Sequence, residues 1–478
     1  MMATSQAFHF VPLPCRSQNS AVAPLTSPSR HSLHRSSSLK GPYGTIRNIS
    51  FDRNRDNRSL WMKSNIWLVY GRLNLKVKNV AYVPSASPAK TPGVARSHSD
   101  TFLSVSTEAE LLSGIRKEVD ANRIPSKAGY AMEELYHNYK DAALIGGAPV
   151  EKIVEIMATV LDRVLLQFED PFTFPSYHEA IREPYDYYMF GQNYIRLLLD
   201  FRNSYLGNTS YFDKIEAQLK QGENVVLLSN HQTEADPAVM ALLLEASHPY
   251  LAQKLIYIAG DRVVTDPFCK PFSMGRNLLC VYSKKHINDE PELVDMKRKA
   301  NARSLKELAI LLRKGGHLVW IAPSGGRDRP DPVTMIWKPA PFETTSVENI
   351  RRLIEHSKAP GHLYPLALLC YKLMPPPIQV QKEIGEERLL GFSGTGLSVG
   401  AELHFEEITS DCDSIDQAAE CFSQAALEQV NAHYDALVQA VSHGKGMNAS
   451  TDTLVLSQPW SVNSSTSNEK PRVPCHSS

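Results

Sequence analysis

Asn224-Val-Val-Leu-Leu-Ser-Asn-His-Gln-Thr-Glu-Ala-Asp-Pro-Ala-Val-Met-Ala-Leu-Leu-Leu244 runs a strand pattern into a polar loop and then into a helix. The short apolar run at 224–229 suits a strand buried on both faces. Asp236-Pro237 has the grammar of a helix start, with Asp as N-cap and Pro at the first helical position. The same alternation recurs downstream, with apolar runs at 254–259, 278–282, 317–322 and 363–370 and amphipathic helices at 237–246, 294–314 and 347–356. Strands alternating with helices predict an α/β domain with a mixed, largely parallel sheet flanked by helices.

Upstream the pattern is helical. A run begins at Glu108, another spans 129–144, and a third at 150–168 carries Val154, Met157, Val160, Leu161, Val164 and Leu165 on one face. Short helices joined by small linkers predict an N-terminal helical bundle over 101–170. Residues 171–184, rich in Pro and aromatics, read as a linker or docking loop. The α/β domain is then expected over 171–443, with further strands in 375–405 around Gly394-Thr395-Gly396 and a long closing helix at 415–441. The Ser/Thr/Asn-rich tail at 444–478 is expected to be disordered.

Charge divides the chain. Residues 1–96 hold 14 Lys/Arg against only Asp52 and Asp56, leaving 37 basic and 49 acidic residues in the remainder. A Ser-rich, Arg-containing, acid-poor arm behind Met-Met-Ala-Thr-Ser has the composition of a chloroplast transit peptide, the alternative being a disordered basic arm. The expected location is the chloroplast stroma. No apolar run approaches the 18 or so residues that span a bilayer; the longest, at 363–374, contains Lys372. This predicts no transmembrane segment and at most peripheral membrane contact. Seven cysteines without Cys-x-x-Cys spacing read as free thiols in a reducing compartment. Cys269 and Cys280 would be nucleophiles only beside a base, and are otherwise buried thiols.

Chemistry is expected in the loops beyond the carboxyl ends of the strands, where open α/β sheets bind ligands. His231 sits in such a loop among polar neighbours. A carboxylate five residues on can accept its Nδ1 proton and leave Nε2 as a base for a substrate hydroxyl, although Asp236 as a mere helix cap is the competing reading. Tyr282-Ser-Lys-Lys-His286 and Ile321-Ala-Pro-Ser-Gly-Gly-Arg-Asp-Arg-Pro330 follow later strands. Lys285, His286, Arg327 and Arg329 would converge on a dianionic phosphate, with the two arginines supplying forked donors; solvated basic loops are the plainer alternative. No His/Cys cluster has metal-ligand spacing, and neither a metal nor a cofactor is expected.

The octet at 230–237 resembles the first block of the glycerolipid acyltransferases, in the wording of their soluble plastid glycerol-3-phosphate branch. That resemblance implies His231 as general base and Asp236 as its partner. It also implies that Lys285 and His286, with Arg327 and Arg329, bind the substrate phosphate. The membrane-bound relatives carry Phe-Pro-Glu-Gly-Thr-Arg-Ser in the third block, and here Ser324 stands where their Glu would be. A fourth block, His362 to Ala367, reads as scaffold. The implied reaction moves a fatty-acyl group from acyl-carrier protein, or acyl-CoA, to the sn-1 hydroxyl of glycerol 3-phosphate. Rival readings are a 1-acylglycerol-3-phosphate acyltransferase, a phosphate-ester or thioester hydrolase, and a non-catalytic phosphate- or lipid-binding protein. Nucleic acid is not an expected partner. An acidic acyl-carrier protein would dock on a basic patch, for which Lys254, Arg262, Lys270, Arg276 and Lys284 are candidates by sequence proximity.

Overall fold

The computed structural model describes residues 99–283, 287–377, 388–443 and 453–455. The basic arm, Lys284, Lys285, His286, Cys15, Cys475 and most of the tail lie outside the described residues.

Among the described residues three helices come first, α1 (Glu108–Asp120), α2 (Ser126–Ile145) and α3 (Val150–Glu169). Thr107 caps α1 reciprocally with Glu110, the capping box that local sequence rules look for. A sheet follows in the order β1-β5-β4-β6-β3-β7-β8-β2-β9. Its strands are β1 (Tyr177–His178), β2 (Tyr205–Gly207), β3 (Asn224–Ser229), β4 (Leu255–Gly260), β5 (Asn277–Val281), β6 (Leu318–Ile321), β7 (Gly361–Leu369), β8 (Gly396–Val399) and β9 (Thr453–Val455). The five central strands, β5, β4, β6, β3 and β7, are mutually parallel, and antiparallel pairs occur only towards the edges. The expected α/β architecture with its N-terminal helices is therefore the observed one.

Three details depart from expectation. The Pro-rich segment at 171–184 contributes β1, an edge strand paired with β5. The stretch at 375–405 supplies a single strand among its described residues, β8. Within the tail, Thr453–Val455 pairs antiparallel with β2; Thr-Leu-Val is a β-prone run that can add to an open edge.

Side chains of β3 alternate between two cores, as the pleat requires. Val225 and Leu227 join an apolar cluster that runs without a break into Met132, Tyr136, Tyr139, Met157 and Leu161 of the N-terminal helices. Val226 and Leu228 face the opposite cluster, with Leu308 and Leu312 of α10 (Val294–Lys314), Ile350 of α11 (Thr344–Glu355) and Phe422 of α13 (Ile415–His443). Every residue of β3 is buried. The loop that leaves its carboxyl end is thus mounted on the centre of the fold.

Candidate active site

Beyond Ser229 the main chain leaves the β3–β7 ladder, but its side chains keep the pairing going. Asn230 Nδ2 donates to Leu368 O at 2.9 Å, and Asn230 Oδ1 accepts from Leu368 N at 2.9 Å. Two residues on, Gln232 Oε1 accepts from Cys370 N at 2.7 Å and Tyr371 N at 3.1 Å, while its Nε2 donates to Tyr434 Oη at 3.2 Å. Asn230 points onto β7 and Gln232 onto the chain just past it, leaving His231 between them. Its side chain is 26% exposed and meets Trp320 edge-on at 5.5 Å between ring centroids.

His231 Nδ1 donates to Asp236 Oδ2 at 2.7 Å. Asp236 is fully buried and gathers four further donors: Gln232 N at 2.8 Å on Oδ2, with Thr233 N at 2.8 Å, Thr233 Oγ1 at 2.9 Å and Cys370 Sγ at 3.1 Å on Oδ1. The expected N-cap role is not what this carboxylate does. Asp236 is the first residue of α6 (Asp236–Leu244), Ala235 holds the cap position, and no side chain caps this helix. Both Asp236 oxygens turn back into the loop because five donors there outbid a single helical N–H. Burial alone would raise the Asp236 carboxyl; the His231 imidazole, the Gln232 amide and the Cys370 thiol together hold it below its ordinary value. Nε2 is thereby left free of the carboxylate and available to a substrate.

The second loop, after β6, turns at Gly325, whose φ of +68° lies in the left-handed region that glycine adopts without strain. Ser324 closes this turn by donating to Gly326 O at 3.0 Å. In Arg327-Asp328-Arg329 the central residue points inward. Asp328 N donates to His231 O at 2.6 Å, and its buried carboxylate accepts from Asn230 Nδ2 and Ala340 N, each at 2.9 Å. Burial pushes the Asp328 carboxyl up to about 6 against those hydrogen bonds and the nearby imidazole. Arg327 Nη1 stands 3.6 Å from Glu234 Oε1, bringing the first and second loops together. Arg329 Nη1 donates to Asp328 O at 3.0 Å, folding onto its own loop.

Both loops therefore share one place, the carboxyl ends of neighbouring strands β3 and β6. A family model described as "Glycerol-3-phosphate acyltransferase N-terminal" matches residues 99–172, and one described as "Acyltransferase" matches residues 212–368. The chain is 60% identical over 366 residues to a chloroplastic glycerol-3-phosphate acyltransferase of Arabidopsis thaliana, covering 76% of this chain and 80% of the relative. Similar chloroplastic proteins of Carthamus tinctorius (56% identical, 78% and 82% covered) and Pisum sativum (50%, 86% and 89%) align over comparable spans. The chain belongs to the chloroplastic glycerol-3-phosphate acyltransferases.

For a glycerol-3-phosphate acyltransferase the most informative residues are those that sequence motifs did not single out. Glu234, inside the octet, is the hub of a largely enclosed ionic network. Arg388 Nε donates to Glu234 Oε2 at 3.0 Å and Arg388 Nη2 to Asp266 Oδ2 at 3.1 Å. Burial would raise the Glu234 carboxyl, but Arg388 and Arg327, with Arg262 behind them, bring it down to about 2. Asp328 and Cys370 were likewise unsignalled, one hidden between two arginines and the other at the end of an apolar strand. Cys269 is a buried thiol and Cys280 a partly buried one: burial raises Cys269 well above its usual value and Cys280 to about 11.

Two of the five basic residues expected to form a docking patch are engaged within the fold, while Lys254 is exposed and Lys284 lies outside the described residues. Arg276 is buried, with Nη2 donating to Gln192 Oε1 at 2.5 Å and its guanidinium 4.9 Å from the Tyr188 ring. Lys270 donates to Phe172 O at 3.0 Å. Proximity in sequence here spans the start of β5, where the chain turns inward and carries Arg276 with it.

Proposed function

We propose that His231 removes the proton from the sn-1 hydroxyl of glycerol 3-phosphate through Nε2 as the oxygen attacks the carbonyl of a fatty-acyl thioester. The new C–O bond forms, the C–S bond breaks, and the proton passes from the imidazolium to the departing thiolate, giving lysophosphatidate and free thiol. Asp236 fixes the Nδ1–H tautomer and stabilises the imidazolium. Arg327 and Arg329, with Lys285 and His286 from the loop after β5, bind the phosphate as forked and point-charge donors. Holding the two substrates in register lowers the barrier by on the order of 7 kcal/mol. The acyl donor is the fatty-acyl thioester of acyl-carrier protein, acyl-CoA serving as a smaller substitute, and the reaction takes place in the chloroplast stroma.

The observation carrying this reading is the 2.7 Å contact from His231 Nδ1 to a fully buried carboxylate, with the ring still partly open to solvent. Its test is a radiolabelled transfer assay offering glycerol 3-phosphate and lysophosphatidate against acyl-carrier-protein and acyl-CoA donors. His231→Ala should lose transfer by about 10²- to 10⁴-fold while still binding glycerol 3-phosphate. Transfer at the wild-type rate would overturn the role of His231, and transfer to lysophosphatidate alone would overturn the acceptor.

A further inference from the structure

Between Arg329 and Lys338 the chain leaves the candidate active site, makes a tight excursion and returns. At its tip Val333, Met335 and Ile336 are 88%, 59% and 55% exposed. Large apolar groups so open to water within four positions call for a partner surface more than any single exposed leucine does.

The tip is built rather than loose. Asp331 Oδ1 accepts from Val333 N at 3.0 Å, Thr334 N at 2.7 Å and Thr334 Oγ1 at 3.0 Å. Asp331 N donates to Ile336 O at 2.9 Å, and Met335 N to Asp331 O at 2.8 Å. Met335 holds φ at +57°, a left-handed conformation that disfavours a bulky residue. A turn that merely reversed the chain would carry Gly or Asn there. At the base, Pro330 and Trp337 form an antiparallel bridge, and Trp337 stacks on Tyr371 at 4.5 Å. Lys338 and Lys372 are exposed beside that aromatic pair, with Lys372 Nζ 6.0 Å from the Tyr371 ring centroid.

An apolar tip, then an aromatic pair, then lysines is the layering of a bilayer interface from acyl chains through headgroups to anionic surface charge. The acidic group of the turn, Asp331, is taken up by three donors. Convexity also matters: a tip this exposed encloses nothing and has to enter something else. We propose that the turn at 331–336 inserts into the surface of an anionic lipid bilayer, placing the candidate active site against the membrane. Its purpose, handing an amphiphilic acyl product to an apolar phase, rests on the function proposed above; the insertion itself does not.

The test is sedimentation of the full chain with vesicles of equimolar phosphatidylcholine and phosphatidylglycerol. Val333→Ser/Met335→Asn/Ile336→Ser removes the apolar tip while placing Asn at the left-handed position. The basic arm is present in wild type and variant alike and cancels in the comparison. The triple variant should bind at least tenfold more weakly, and Lys338→Glu/Lys372→Glu should weaken binding to these vesicles but not to pure phosphatidylcholine. Transfer in vesicle-free solution should be unchanged in the triple variant. Brominated lipid should quench fluorescence in wild type more than in Trp337→Phe. Equal binding by wild type and triple variant, or no binding by either, overturns the proposal. So does a triple variant that loses use of the acyl-carrier-protein donor in vesicle-free solution, because the turn would then be covered by that protein. If insertion is found but no variant or substrate supports acyl transfer to glycerol 3-phosphate, the membrane contact stands and only its purpose falls.

Discussion

The two strand-end loops at the candidate site are held in different ways. In the loop after β3, the five donors to Asp236 come from within 230–236 or from Cys370 just past the neighbouring strand. The loop after β6 is anchored elsewhere: Asp328 hangs on His231 O and Asn230, and Arg327 faces Glu234. The His231–Asp236 pair is held mainly from within its own loop, whereas Asp328 and Arg327 of the second loop are positioned by contacts to the first. Disturbing the first loop should therefore displace the second, but not the reverse.

Asp236→Asn breaks the comparison most severely. An amide cannot accept from all five donors, and it leaves the imidazole without a charge partner. A loss of about 10³- to 10⁴-fold in kcat is expected, with little change in KM for glycerol 3-phosphate. Loss confined to KM would mean that Asp236 serves the grip instead.

A second effect concerns pH. The Asp328 carboxyl is raised to about 6 in the folded state, above its ordinary 3.8. A raised carboxyl binds more protons folded than unfolded, so its favourable contribution is complete below pH 4 and declines as pH climbs from about 4 to about 6. The decline amounts to about 3 kcal/mol. Denaturant titrations of wild type and Asp328→Asn across that range should diverge by this slope and run parallel above it; parallel curves throughout would mean that burial does not raise the Asp328 carboxyl.

The smallest expected effect sharpens the comparison. Glu234→Gln removes the charge that steadies Arg327 and Arg388, which should raise KM for glycerol 3-phosphate about tenfold and leave kcat within about threefold. A fall in kcat with unchanged KM would tie Glu234 to the His231–Asp236 pair rather than to the arginines.

Sequence patterns disclosed the central strands because each is an apolar run ended by polar residues, and β3 and α10 fall where the alternation placed them. Strands β1 and β2, of two and three residues, are too short for periodicity to show. His231 and Asp236 were singled out by the octet at 230–237, their five-residue spacing alone being a weak signal. The partners that position them were not: Asn230 and Asp328 are 98 residues apart, Asp236 and Cys370 134, and Glu234 and Arg388 154. Asp236 also shows a local rule overridden, since its helix-start grammar is correct while its side chain serves the loop. No pattern within one segment carries contacts of that reach.

Asn230 and Gln232 carry the hydrogen bonding of β3 past the point where its backbone stops. The histidine loop accordingly shares the opening free energy of the central sheet, and the amide protons of Leu368 and Cys370 should exchange with solvent as slowly as those of the core strands. His231, the base proposed above, would then open only with the central sheet, so activity should persist under mild denaturation until the whole fold melts.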